Sequence, residues 1–262
     1  MIEHNEPMIF EQRGTVGILT LNRPDRMNAM NGPLVRGLRT HFETLADDDS
    51  IRSVILTAAG EKAFCVGADL KERQTMSEDE VTQRLKDYRT SFDAITRIPK
   101  PVICAINGYA FGGGLELALA CDFRIAASTA KMGLTETHLG IIPGAGGTQR
   151  LSRLVGPTRA KDLVFSARRM SANEALEERI ICRVTDPETL LGDAIAWAET
   201  FDRAAPIAIA QAKRAIDLGV EMSLDDGLQF ETTCYNVTLE SEDRLEGLAA
   251  FKAKRDPEWS NR

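Results

Sequence analysis

The fold class predicted for this chain is α/β, with a strand-and-helix core followed by an all-helical C-terminal part. Three observations predict it. Short aliphatic and β-branched runs recur through the first 190 residues. Helical patterns separate them, and that alternation implies crossover connections. From about Leu190 onward only helical patterns are found.

The first two strands are read at 15–21 (TVGILTL) and 51–57 (IRSVILT), from their content of Val, Ile, Leu and Thr. Between them a helix runs to about Ala46, capped by Asn28 or Asn31, with Pro33 near its first turn. Residues 71–89 (KERQTMSEDEVTQRLKDYR) are strongly polar and read as a mobile surface loop and a helix start. PVICAI at 101–106 is a third buried strand, ended by Asn107-Gly108. A helix at 115–121 and a strand at 123–127 follow, then a helix at 148–155. No strand signal follows Val184. Helices are expected at 190–202, 206–219, 222–238 and 243–254, with a domain boundary near 190–200. There is no fixed-period repeat and no low-complexity tract.

Composition removes several function classes. The 262 residues are enough for a large core. A formal net charge of −7 argues against nucleic acid, which needs a basic face. Arg36 and Arg39 on the first helix run into the acidic stretch Asp47-Asp48-Asp49, so they form no basic stripe. The five cysteines (65, 104, 121, 182 and 234) form no CxxC pair. They read as reduced core thiols of a cytoplasmic protein, and no metal site is expected. The N-terminal MIEHNEPMIFEQRG is acidic and has no apolar run, so it reads as neither a secretion signal nor a transit peptide. No stretch reaches the roughly 18 consecutive apolar residues of a membrane span, and no membrane partner is expected.

Three glycine-rich stretches carry the chemistry. FGGGLELALACD (111–122) sets three glycines before an apolar helix. This is either a turn that needs positive φ or a place where backbone N–H groups approach a ligand at a helix start. GEKAFCVGADLK (60–71) offers small residues around a second set of N–H groups, and two convergent donors would form an oxyanion hole. LGIIPGAGGT (139–148) opens another helix and reads equally as a turn with a cap. No phosphate-loop pattern is present. Glu116 stands in LELALA, where a charge is either used or placed on the exposed side of a first turn. Glu136 has polar neighbours, whose composition alone reads as surface. Spacing does not show whether the two carboxylates meet.

LNRPDRMNAM, AFCVGADLKE, INGYAFGGGLELALACDFRIA, KMGLTETHLGIIPGAGGTQRL and DRLEGLAAFKAKR, in order over nearly the whole chain, resemble the crotonase (enoyl-CoA hydratase/isomerase) superfamily. The resemblance implies a ββα spiral core over 1–195 and a helical trimerisation domain over 196–262. It implies a homotrimer, or a homohexamer made as a dimer of trimers, and an acyl-CoA thioester substrate. Carried over by position, the oxyanion-hole amides fall on Ala68 and Gly113. Glu116 and Glu136 match the hydratase glutamates, Glu136 delivering a proton to Cα and Glu116 holding and activating water. Gly144 matches the position whose backbone helps hold that water. The coenzyme A site falls on Arg26, Met27, Ala29, Ala68, Asp69, Leu70, Lys71 and Gly113, with Tyr235 and Lys254 from the tail. No metal or redox cofactor is implied, since coenzyme A is part of the substrate.

Keeping both glutamates favours a hydratase over an enoyl-CoA isomerase, which works with one carboxylate. GADLKER, ALACDFRIAAS and DRLEGLAAFKAKR are most similar to the methylglutaconyl-CoA hydratase branch, whose substrate has a distal carboxylate. Arg150 and Lys161 are candidate partners for such a group, although each reads first as a solvated surface residue. Two further classes fit the sequence less well. A Ser-His-acid hydrolase would use His138, one of three histidines with His4 and His41, but no GxSxG elbow exists. A non-catalytic acyl-CoA or RNA binder would have no use for two glutamates.

Overall fold

The computed structural model describes residues 6–262, so His4 and the rest of the first five residues lie outside the described region. Among the described residues, ten strands form two sheets. The larger contains β1 (Met8–Arg13), β2 (Val16–Leu21), β3 (Ser53–Ala58), β5 (Val102–Ile106), β7 (Phe123–Ala127) and β10 (Arg183–Thr185), in that spatial order. β1 is antiparallel to β2, and every other pair in this sheet is parallel. The smaller contains β4 (Ala63–Cys65), β6 (Tyr109–Phe111), β8 (Lys131–Gly133) and β9 (Met170–Ser171), parallel apart from the last pair. Consecutive strands alternate between sheets: β3 then β4, β5 then β6, β7 then β8. A helical segment closes each pair, which is the ββα spiral.

The central strands are apolar at nearly every position because the sheet is covered on both faces. Leu19, Leu21, Val54, Leu56, Val102 and Cys104 pack toward α1 (Gly32–Ala46) and α3 (Glu78–Arg97). Their sequence neighbours Ile18, Ile55, Ile103 and Ala105 pack on the opposite side, against Leu190, Ala194 and Ala198 of α8 (Leu190–Glu199). The period of two along each strand thus divides its residues between two layers. α8 crosses residue 195 while covering the back of the sheet.

Asn31, rather than Asn28, caps α1, its side chain accepting from the Leu34 N–H at 3.1 Å. Asn28 is buried with φ 53°, and its amide donates to the carbonyls of Ala59 and Ala63. The polar segment at 71–89 is a correction. It holds a short α2 (Leu70–Arg73) and most of the 20-residue α3, started by a capping box between Ser77 and Glu80.

α4 (Gly113–Leu119), α5 (Gly147–Val155), α6 (Pro157–Phe165) and α7 (Ala172–Glu177) complete the core. α9 (Pro206–Gly219), α10 (Leu224–Leu239) and α11 (Glu242–Ala253) form the helical tail. Lys213 ties α9 to the core through Asp122 at 2.8 Å and the Lys100 carbonyl at 3.1 Å. Four cysteines are buried, and all five are free thiols; Cys182 is exposed, against the expectation of five core thiols. No described helix is long and apolar enough to cross a membrane.

Candidate active site

A cleft of about 1150 Å³ opens between the start of α4, the 66–70 loop, the 135–146 segment and one face of α3. Glycine geometry brings the first two together. Gly67 has φ 94° and Gly112 has φ 54°, conformations that L side chains rarely adopt. A Cβ at Gly67 would lie 3.1 Å from the Gly113 nitrogen, and one at Gly113 would lie 3.8 Å from the Ala68 nitrogen. The two amides are therefore neighbours in the cleft wall. Neither donates a hydrogen bond to any described residue. Met30 fixes the 67–69 turn between them: its N–H donates to the Gly67 carbonyl, and its carbonyl accepts from the Asp69 N–H.

Glu116 lies in the first turn of α4 and is 3% exposed, so the exposed-turn alternative is excluded. Its Oε1 accepts from the Ala145 N–H at 2.8 Å and the Gly147 N–H at 2.7 Å. Burial raises its pKa, opposed by those two N–H groups and by the charges of Arg150 and Arg89. Glu136 opens a single 3-10 turn after β8 and is 9% exposed, which corrects the surface reading. Its carboxyl packs on Gly112, where a Cβ would come within 3.1 Å of Oε1. Its Oε2 is buried without a partner among the described residues. Burial, then repulsion from Glu116, pushes the Glu136 pKa up to about 7. Burial thus pushes both carboxylates toward the protonated form inside one cleft.

Of the residues expected at the site, Ala68, Leu70, Gly113, Glu116, Glu136 and Gly144 line the cleft. The Gly144 N–H donates to no described residue, and its carbonyl accepts from Arg89. Arg26, Met27, Ala29, Asp69, Lys71, Tyr235 and Lys254 do not line it. Arg23 ties two of these together, its guanidinium bonding both the Ala29 carbonyl and the Asp69 carboxylate. Asp69 also caps α2. Tyr235 and Lys254 lie on the tail, both exposed. Of the two candidate basic partners, Arg150 lines the cleft and is partly buried, whereas Lys161 is exposed on α6. His138 is exposed and does not line the cleft. Sequence reasoning missed Leu85, Tyr88 and Arg89. Their spacing with Phe92, at i, i+3, i+4 and i+7, puts them on the cleft side of α3, where Tyr88 and Phe92 are buried and Arg89 is exposed.

The chain matches the family model described as enoyl-CoA hydratase/isomerase over residues 11–262. YngF of Bacillus subtilis is 47% identical over 240 residues, covering 92% of each chain. The human mitochondrial methylglutaconyl-CoA hydratase is 45% identical over 255 residues, 95% of this chain and 74% of that one. The crystal structure of an enoyl-CoA hydratase from Bacillus anthracis superposes with a TM-score of 0.95 at 46% identity, covering 98% of this chain and 100% of that one. With the alternating ββα spiral, these matches mean that the chain belongs to the enoyl-CoA hydratase/isomerase family of the crotonase superfamily.

Proposed function

We propose that the protein is an enoyl-CoA hydratase, a hydro-lyase that adds water across the 2,3 double bond of a 2-enoyl-CoA thioester to give a 3-hydroxyacyl-CoA. One observation carries the reading: two buried carboxylates from separate elements share a cleft with a pair of backbone N–H groups that have no partner among the described residues. The thioester oxygen is received by the N–H groups of Ala68 and Gly113, which stabilise the charge that grows there as the enolate forms. Removing one such donor in other enzymes costs roughly 10²–10³ in rate. Glu116 accepts a proton from water through Oε2, since Oε1 is already occupied by two N–H groups. The water oxygen bonds to Cβ, and the Glu136 carboxyl supplies the proton that Cα takes up. A pKa of about 7 leaves Glu136 substantially protonated at neutral pH, as a general acid requires. The Gly144 N–H is free to hold the water.

A methylglutaconyl-type substrate is the second reading. Its supports are the 45% identity to the human methylglutaconyl-CoA hydratase and the presence of Arg89 and Arg150 in the cleft. Turnover of crotonyl-CoA, longer enoyl-CoAs and 3-methylglutaconyl-CoA, followed by loss of enoyl absorbance, tests both. Activity on none of them contradicts the hydratase reading, and a strong preference for the last selects the second.

We also propose that the protein self-associates as a trimer, or as a dimer of trimers, through α9–α11. Val220, Leu224, Leu245 and Phe251 are 73%, 78%, 62% and 85% exposed there, a large apolar surface for a single chain.

A further inference from the structure

We infer that Arg89 and Arg150 are positioning residues for Glu116, acting through the backbone of the 144–147 loop. The inference rests on the hydratase reading for its kinetic consequences only. Three successive peptide groups carry it. The peptide joining residues 144 and 145 donates its N–H to Glu116 Oε1 at 2.8 Å, and its carbonyl accepts from Arg89 Nε at 3.2 Å. The next carbonyl, of Ala145, accepts from Arg150 Nη1 at 3.1 Å. The third peptide donates the Gly147 N–H to Glu116 Oε1, and its carbonyl accepts from the N–H groups of Gln149 and Arg150 at the start of α5. Both N–H groups that hold Glu116 therefore belong to peptides gripped from behind.

Arg150 is itself fixed. Its Nη2 lies 3.5 Å from Asp93, one turn along α3 from Arg89. It also occupies the space over Gly146, where a Cβ would come within 2.2 Å of Nη1. Nothing else among the described side chains grips the carbonyls of Gly144 and Ala145, and the loop is rich in glycine. Hydrogen bonds in series polarise one another, so Arg89 on the Gly144 carbonyl strengthens the Ala145 N–H donor of the same peptide, while Arg150 fixes the peptide that joins the two donors. The charged and titratable groups around Glu116 are Arg89 and Asp93 on α3, Arg150 on α5, Glu136 on its 3-10 turn, and the buried Cys121 thiol near Arg150. The charges of the two arginines oppose the effect of burial on Glu116.

The test uses the full-length protein and the variants Arg150→Met, Arg89→Met, Arg150→Lys and Asp93→Asn. Two readouts are taken: the pH profile of crotonyl-CoA hydration, and titration of the Glu116 carboxyl by 13C NMR, assigned with Glu116→Gln. Arg150→Met is expected to lower kcat by at least roughly 10-fold with little change in KM, a loss of alignment rather than of binding. Its acid limb and its Glu116 midpoint rise by about 1 pH unit, because a nearby cation is gone. Arg89→Met shifts both in the same direction. Arg150→Lys returns the midpoint toward wild type, and Asp93→Asn moves it to lower pH by removing a nearby negative charge. Folded Arg89→Met and Arg150→Met variants with unshifted midpoints overturn the inference, as does a kcat loss shared equally by Arg150→Met and Arg150→Lys. A wild type that hydrates no enoyl-CoA contradicts the hydratase reading instead, and the NMR midpoints still decide the role of the arginines.

Discussion

The Gly147 N–H lies 2.7 Å from Glu116 Oε1, and a methyl group added at residue 147 would come within 2.9 Å of the same oxygen and of Glu116 Cγ. The residue that holds the carboxylate is thus also the one that leaves room for it. Gly147→Ala is expected to displace Glu116 and lower kcat by roughly 10²-fold, with KM little changed, because misplacement by about 1 Å can have that effect. Steady-state kinetics on crotonyl-CoA check it. An equal rise in KM would place the damage in substrate binding instead.

Glu136 should destabilise the protein where it ionises. Its pKa is about 7 when folded, against an unfolded value of 4.5. As pH rises from 4.5 to 7 the unfolded chain releases this proton first, so stability falls across that window. Glu136→Gln removes the fall. At pH 8 the variant should be more stable than wild type by on the order of 2 kcal/mol, and the difference should vanish below about pH 4.5. Thermal melts at the two pH values check the sign.

Lys213 and Asp122 form the main ionic link between α9 and the core, with side chains 10% and 18% exposed. Burial raises the Asp122 pKa, with Lys213 as the largest opposing influence. Lys213→Met leaves the carboxylate buried and unpaired and should cost about 3 kcal/mol, whereas Asp122→Asn with Lys213→Met should recover much of the loss. Denaturant midpoints of the two variants give the comparison.

Self-association through the tail is checked by light scattering. Wild type should exceed a monomer's mass at micromolar concentration, and Leu224→Asp with Phe251→Asp should reduce it by placing charge on the exposed apolar surface. A monomeric wild type contradicts the assembly.

Much of the core was legible because parallel strands covered on both faces read as continuous apolar runs: VGILTL, SVILTA and VICAI needed no further context. β1 was missed because it is an edge strand with most of its residues exposed. The second sheet was missed because its strands are two or three residues long. The capping box at Ser77 was present in the sequence, yet the high polarity around it favoured a loop reading. Glu116 stood out among apolar neighbours, and its partner did not. The burial of Glu136 comes from packing on Gly112 across the fold, which local composition does not carry. The proximity of the Ala68 and Gly113 amides depends likewise on two loops meeting. Resemblance supplied those assignments in advance of any geometry.

The most direct test of the two-carboxylate mechanism is enoyl-CoA hydration by Glu116→Gln and Glu136→Gln, each shown to be folded by circular dichroism. Each should lose at least roughly 10²-fold in kcat, the lower range for losing a positioned acid or base, with coenzyme A thioester binding little changed. Exchange of the Cα proton should slow most in Glu136→Gln. Loss confined to Glu136→Gln, with wild-type hydration in Glu116→Gln, would contradict the two-carboxylate account and indicate a one-carboxylate isomerase.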